Sequence, residues 1–333
     1  MSVTIPAEWV AHRAMWVGYP SHAELWEDDL EAAQEEVAAL VRALVDPGRE
    51  RVRLLVYGDD AKRDAERRLG KLAGAEVDVV PARFGDIWLR DTGPLFTADG
   101  RAIAFRFNGW GGKYVLEHDT EVAGQLAAAS GAELVQHEFI LEGGALDHDG
   151  LGTVLTTRQC LLNENRNTGW DEAKAEAALT ESIGAKAVRW LGDGLLNDHT
   201  DGHVDNLARF VARGVVACPA AQGADDPNAA VYAATRETLA KMDDAAGQRL
   251  AVVGVPSPGR VVVDGRIVPA SHMNFLIANG AVIVPEYNDH VGAAVEALRP
   301  HFPGRAVVAS SSRAVLQGGG SFHCITQQEP EGP

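Results

Sequence analysis

The 333-residue sequence predicts an α/β protein built from several small strand–helix modules. Two observations predict it. Amphipathic helical stripes alternate with short apolar strand runs along the whole chain, the pattern of sheets covered by helices. Polar, glycine-marked segments also recur beside the apolar strands. With Asp91, Glu142, His203, His272 and Cys324 as markers, the steps are 51, 61, 69 and 52 residues. This loose period carries no repeated sequence, so it only hints at an internally repeated αβ module. Such modules arranged in a ring would each deliver one polar tip to a shared centre. No long linker, low-complexity tract or charge block divides the chain, and the Asp225-Asp226-Pro227 turn is too short to do so. One domain over residues 1–333 is expected.

The elements follow in order. Asp28 to Val45 reads as a helix, with Leu30, Ala33, Val37, Leu40, Val41 and Leu44 on one stripe and acids opposite. Arg51 to Tyr57 reads as a strand, Asp60 to Leu72 as a second helix and Glu76 to Pro81 as a strand. Further helices are expected over 120–129, 172–183, 228–242 and 290–298. Strands fit 102–107, 153–157, 207–211, 215–218, 250–255, 275–278, 282–284 and 305–308.

Composition narrows the class. With 46% hydrophobic and 23% charged residues, the chain has the mix of a soluble protein with an ample core. No apolar run reaches the length of a membrane span. Met1 to Pro20 has neither a basic start nor an unbroken apolar stretch, so no secretory signal is read and a cytoplasmic location is expected. The net charge of −17 speaks against a nucleic-acid partner, whose phosphates demand basic patches. It fits either a plain soluble acidic surface or a field that concentrates a cationic substrate.

Three cysteines, none in a CxxC pair, make no disulfide framework. Cys160 and Cys218 sit among apolar neighbours and read as buried small hydrophobes. Cys324 instead closes the run Gly318-Gly319-Gly320-Ser321-Phe322-His323-Cys324. Three glycines permit close backbone approach, and a thiol beside them suits a nucleophile at a pocket floor. A thiolate needs a nearby cation or base, and His203 is the candidate general acid/base. If Gly202–Phe210 is extended, Asp205 lies on the same strand face as His203. The alternative for His203 is a satisfied structural histidine, against which the polarity of Gly202-His203-Val204-Asp205-Asn206 speaks.

Asp86 to Pro94 reads as a strand end or loop carrying Asp91 beside the large aromatic Trp88. A carboxylate matches the N–H pairs of a guanidinium, and an indole face adds cation–π attraction. The bland alternative is an Arg90–Asp91 surface turn. Glu142 before Gly143-Gly144 and the flexible aromatic loop Phe107 to Tyr114, with Trp110, are weaker candidates, the loop as a pocket lid. A metal site is also weighed, because Asp198, His199, Asp201, His203 and Asp205 offer ligands at short spacing. That run lacks the His-Glu-x-x-His pattern, and it would leave the glycine run and Cys324 unexplained.

Together these motifs resemble the agmatine deiminases, in the peptidyl-arginine-deiminase-like branch of the guanidine-modifying superfamily. The resemblance rests on Pro6-Ala7-Glu8-Trp9 with His12, Trp16 and Pro20, on WLRDTGP at 88–94 and FNGWGGKY at 107–114. It continues through LEGG at 141–144, TTRQCLLNENRN at 156–167, DGHVDN at 201–206 and GGGSFHCITQQ at 318–328. It implies a five-module α/β propeller (pentein fold) with pseudo-fivefold symmetry and the site at its centre. It implies Cys324 as nucleophile, His203 as general acid/base, and Asp91 and Asp205 as guanidinium clamps. Glu142 stands where a further acidic site residue is expected, Trp88 and Trp110 along the substrate stem, and Gly320 among the substrate contacts. Gly85-Asp86-Ile87 and the bulky Leu95 depart from the family pattern and bear on the fit of the substrate tail.

The implied reaction is hydrolysis of agmatine, a small cationic guanidine, to N-carbamoylputrescine and ammonia through an amidino-cysteine, with no metal or other cofactor. Peptidyl or free arginine is the competing substrate, and Arg90, Arg106, Arg166 or Arg209 could receive its carboxylate. A metal-dependent amidohydrolase and a non-catalytic guanidine-binding protein are the rivals from other classes. Self-association into a homo-oligomer is left open.

Overall fold

The computed structural model describes residues 3–332. Besides a two-stranded antiparallel ribbon, Val262–Val263 with Arg266–Ile267, five sheets of three or four strands share one connectivity rule. In each, an antiparallel pair is extended by a strand parallel to its neighbour, and the parallel crossover carries a helix. Leu95–Phe96, Arg101–Arg106 and Glu133–Ile140 form one such sheet, with helix Val122–Ser130 in the crossover. Asp147–His148, Thr153–Thr157 and Ala187–Leu191 form the next, with helix Glu172–Ile183. Arg209–Ala212, Val215–Ala220 and Ala251–Pro256 take helix Ala229–Leu239. Leu276–Ile277, Ala281–Glu286 and Ala306–Ser311 take helix Val291–Leu298. The fifth sheet closes the chain on itself: Thr326–Pro330 pairs antiparallel with His12–Gly18, which runs parallel to Val52–Val56 and, beyond it, Val77–Pro81. A parallel pair needs a long crossover, and a helix supplies it while covering one sheet face.

The helices form for the reasons their sequences give. In Leu30–Val45 the stripe Ala33, Val37, Leu40, Val41 and Leu44 is wholly buried, while Leu30 is only partly so. The preceding acids Glu27–Asp29 make a separate 3-10 turn rather than the first helical turn. Helix Glu172–Ile183 is capped by Asp171, whose side chain accepts from Lys174 N at 2.9 Å. It ends at Gly184 in the left-handed region at φ 73°, where a side chain would be strained. The apolar faces meet in separate clusters, one around Trp16, Leu40 and Leu54, another around Leu155, Leu191 and Phe210.

Three expectations from sequence fail here. Gly202–Phe210 is not extended: Val204–Asn206 is a 3-10 turn, because Leu207 N and Ala208 N both turn back to the Val204 carbonyl at 2.8 Å. Trp88 to Thr92 is not a strand end but a helical turn over Leu89–Thr92, closed on the Trp88 carbonyl by Asp91 N and Thr92 N at 3.1 Å. Leu95 lies in a core with Ile103 and Leu141, so it cannot bear on a substrate tail. Among the described residues no helix is long and apolar enough to cross a membrane.

Buried charge links the sheets. Arg209, fully buried, donates Nε to Asp147 Oδ2 at 2.6 Å, Nη1 to the carbonyls of Met273 and Phe275 at 3.1 Å, and Nη2 to Glu8. Removing one member of a buried ion pair strands the others. Arg209→Ala is therefore expected to lower stability by about 3–5 kcal/mol in urea unfolding. A loss below about 1 kcal/mol would show that Glu8 and Asp147 find other partners.

Candidate active site

A cavity of about 310 Å³ is lined by Trp26, Trp88, Trp110 and Tyr114, by Asp29, Asp86 and Asp91, and by the glycine run ending at Cys324. The glycines are needed where they stand. A Cβ on Gly320 would come within 2.6 Å of the Trp88 ring and 3.1 Å of Cys324 Cβ. The Cys324 segment is pinned by Asn274. Its Oδ1 accepts from His323 N at 2.9 Å and Cys324 N at 3.3 Å, and its Nδ2 reaches Cys324 Sγ at 3.2 Å. The Cys324 carbonyl in turn accepts from Arg90 N at 3.0 Å, tying this segment to the turn that presents Asp91.

Asp91 and Asp205 flank the thiol. Asp91 Oδ2 accepts from Trp110 Nε1 at 2.8 Å and Oδ1 from Gly144 N at 2.9 Å. Asp205 Oδ2 lies 3.9 Å from Cys324 Sγ, while its Oδ1, fully buried, has no partner. His203 Nδ1 is 3.8 Å from Asp91 Oδ1, and neither ring nitrogen meets hydrogen-bond geometry with a partner. Glu142 takes Arg166 Nε at 2.6 Å, both fully sheltered. His203, Asp205 and Glu142 do not line the open cavity; they pack beside its floor. Gly144 allows this crowding, since a Cβ there would lie 2.5 Å from His203 Nδ1 and 2.9 Å from Asp91 Oδ1.

The electrostatics are unusual for a thiol site. Burial, then Asp205 and Asp91, push the Cys324 thiol well above its ordinary range, so it rests protonated. Burial disfavours the His203 imidazolium, but Asp91, Cys160 and Asp205 outweigh it and hold the proton on well above the usual histidine range. Asp205 is kept ionised against its burial by the His323 hydrogen bond and by the charges of His323, His203 and Arg209. Burial raises Glu142 despite Arg166 and His203.

The sequence candidates Cys324, Asp91, Asp205, His203, Glu142, Trp88, Trp110 and Gly320 thus converge. Arg90 does not form a surface turn: it is buried, with Nη1 3.4 Å from Glu8 Oε1. The loop at Trp110 is anchored rather than loose, by Gly111 N to Asn108 Oδ1 at 2.8 Å and Asn108 Nδ2 to the Asn165 carbonyl at 2.9 Å. Trp110 itself holds a left-handed backbone at φ 53°, a conformation costly for a bulky residue and kept by the indole bond to Asp91. His272 turns away, donating Nδ1–H to the Pro256 carbonyl at 2.8 Å and stacking near Tyr287.

The short-spaced acids and histidines of 198–205 do not gather. Asp198 binds Thr200, His199 stacks on Tyr114 at the mouth, and Asp201 pairs with Lys113 and Arg166. Among the described residues, the trio with ligand atoms within 4.8 Å of one another is Glu142, Cys160 and His203, and Glu142 there is already held by Arg166. Cys160 is buried in an apolar cluster, as the sequence indicated, and its sulfur also lies within 4.8 Å of a His203 ring nitrogen. Sequence reasoning missed Asn274, and it offered Arg166 as a receiver of a carboxylate from substrate, whereas Arg166 is spent on Glu142. Asp86 accepts from both Trp26 Nε1 (3.1 Å) and Trp88 Nε1 (2.8 Å), which sets the two indoles of the wall. The tight DGHVDN and HMNF turns were the available signals.

Residues 4–330 match the model of the Porphyromonas-type peptidyl-arginine deiminase family. Agmatine deiminase of Stutzerimonas stutzeri is 36% identical over 98% of this chain and 95% of its own. Agmatine deiminase of Enterococcus faecalis superposes with a TM-score of 0.92 at 31% identity, over 99% of this chain and 96% of the other. A cysteine-to-serine variant of C. jejuni agmatine deiminase with substrate bound gives 0.89 at 28% identity, over 100% and 97%.

Among the three cysteines only Cys324 lines the cavity, so iodoacetamide is expected to modify it before Cys160 and Cys218. The rate follows the thiolate, and the raised thiol makes it climb still above about pH 9 in the free protein. A plateau reached by about pH 8, near an unperturbed thiol, would contradict this electrostatic picture.

Proposed function

The chain belongs to the Porphyromonas-type peptidyl-arginine deiminase family, and from that premise we propose that it hydrolyses agmatine to N-carbamoylputrescine and ammonia through an amidino-cysteine. One observation carries the substrate choice. The cavity ends at a thiol between two carboxylates, and its described lining residues include indoles and aspartates but no lysine or arginine. A guanidinium with an amine tail is welcome throughout such a pocket. Free arginine would bring a carboxylate that must be desolvated and paired. Arg90, Arg166 and Arg209 are buried and engaged by Glu8, Glu142, Asp201 and Asp147, and Arg106 is exposed and off the wall.

The chemistry follows from the charges. The guanidinium docks between Asp91 and the unpartnered Asp205 Oδ1, which hold its N–H groups and place its carbon near Cys324 Sγ. Its positive charge offsets the carboxylates that, with burial, kept the thiol protonated, so the thiol gives its proton to solvent on binding. The thiolate attacks the central carbon, and the His203 imidazolium protonates the departing nitrogen, which leaves as ammonia. The neutral imidazole then takes a proton from water as the oxygen attacks the amidino carbon. As the C–S bond breaks, the hydroxyl proton of the adduct passes to the departing sulfur, which frees the thiol and the neutral ureido product with the His203 proton restored. Trp88 and Trp110 pack the methylene stem. At the mouth Asp29, fixed by Gln317 Nε2 at 2.8 Å, receives the amine. Burial and the neighbouring Asp264, Asp28 and Glu27 push the Asp29 carboxyl up, and an ammonium there would relieve that repulsion.

The five like-connected sheets are read as five modules of a propeller forming one catalytic domain around this site, in a cytoplasmic enzyme. Ammonia release, compared for agmatine, free arginine and a blocked arginine peptide, tests the reading. A kcat/KM for agmatine at least about 100-fold above arginine is expected, the scale of a buried unpaired charge. Equal or reversed values would hand the site to arginine.

Cys324→Ser is expected to abolish turnover in a folded protein, because a hydroxyl does not supply the anion. Asp91→Asn and Asp205→Asn each present a donor to a donor-only guanidinium and are expected to cost about 2–4 kcal/mol in kcat/KM. Near-normal activity in either would remove that residue from the clamp.

A further inference from the structure

The imidazole of His323, next to the thiol in sequence, points away from the cavity into a chain of buried charge. Its Nδ1 bonds Asp205 Oδ2 at 2.8 Å, and its Nε2 bonds Glu8 Oε1 at 2.6 Å. His323 is 1% and Asp205 0% exposed. A carboxylate only accepts, so both bonds form together when both ring nitrogens carry hydrogen or one carboxyl is protonated. Glu8 is held in turn by Arg209 and by Arg90 Nη1, and burial notwithstanding, those cations and His323 keep its carboxyl well below the usual range. The chain Glu8–His323–Asp205 thus runs from the N-terminal segment to the thiol. None of its first two members touches the cavity.

We infer that His323, backed by Glu8, is a positioning residue that sets the Asp205 carboxylate for guanidine binding. Two consequences follow from the geometry. The bond engages the oxygen that faces Cys324 Sγ, Oδ2 at 3.9 Å, and so aims the other oxygen, Oδ1, at the substrate. It also draws charge from the oxygen nearest the sulfur, which eases formation of a thiolate. His323 would then govern both substrate affinity and thiol reactivity without contacting either. The first consequence rests on the agmatine reading; the second needs only the thiol.

The test compares His323→Gln with His323→Asn in the full-length protein. An asparagine amide nitrogen falls near the imidazole Nδ1 position and can still donate to Asp205, whereas a glutamine nitrogen falls near Nε2 and serves Glu8 alone. Two readouts are taken on the folded fraction: KM and kcat for agmatine, and the pH profile of Cys324 alkylation by iodoacetamide. The groups facing the sulfur are Asp205, Asp91 and Asn274, and those facing the ring are Asp205 and Glu8, with Arg90 and Arg209 behind Glu8. In His323→Gln, KM is expected to rise at least tenfold with a smaller change in kcat, and the alkylation profile to move to higher pH. His323→Asn is expected to recover most of both effects. Equal impairment of the two variants, or an alkylation profile unmoved in His323→Gln, would overturn the inference and leave His323 a packing residue. If the wild-type protein releases no ammonia from agmatine, the substrate reading fails by itself, and the alkylation arm still decides the role of His323.

Discussion

The molecule depends on a knot of buried charge. Glu8 meets Arg209, His323 and Arg90; Arg209 also meets Asp147, and His323 meets Asp205. Buried ions cost desolvation that their attraction only partly returns, so an apolar core of the same volume would be at least as stable. What the knot provides instead is connection. It ties the N-terminal segment, the Asp147–His148 edge, the Arg209 strand and the residue before Cys324, pieces from four parts of the sequence, into one geometry. The last link of the knot is a carboxylate of the site. The same interactions therefore close the fold and orient its chemistry.

Around that link the site carries more negative charge than a thiol nucleophile ordinarily tolerates. Burial, then Asp205 and Asp91, raise the Cys324 thiol, and the Ser321 and Asn274 hydrogen bonds offset them only in part. Under the proposed chemistry this imbalance is useful, because the missing positive charge arrives with the substrate. A thiol that ionises only beside a guanidinium is protected from stray electrophiles and oxidants between turnovers. The long aromatic wall works to the same end. Asp86 fixes the Trp26 and Trp88 indoles by their N–H groups, and Asp91 fixes Trp110, so carboxylates set the faces along which a cationic stem would slide.

Crowding at the floor explains why small residues stand where they do. Gly144 lets three charged side chains approach one another, and Gly320 lets the thiol segment lie against Trp88. Trp110 accepts a left-handed backbone for the sake of one indole bond. Away from the cavity, crossover helices such as Leu30–Val45 and Glu172–Ile183 keep ordinary buried apolar stripes.

Helices such as Leu30–Val45 and Glu172–Ile183 were legible from the chain because their apolar period is local and needs no partner to be read. Cys324, His203 and Asp91 were legible for a related reason: their short polar, glycine-bearing runs contradict the surrounding strands. The strand Thr326–Pro330 was not legible. Its residues, TQQEP, are polar yet fully buried, and their partners, Trp16, Arg53 and Arg13, lie some 300 residues earlier. The short-range turn at Val204–Asn206, the inward face of Arg90, the approach of Cys160 to His203 and the whole Glu8–His323–Asp205 chain were likewise decided only in three dimensions. A sequence states which groups are present and how their neighbours repeat. Which buried charge meets which depends on long-range closure, and that is where the pairing, and with it the ionisation of the site, was set.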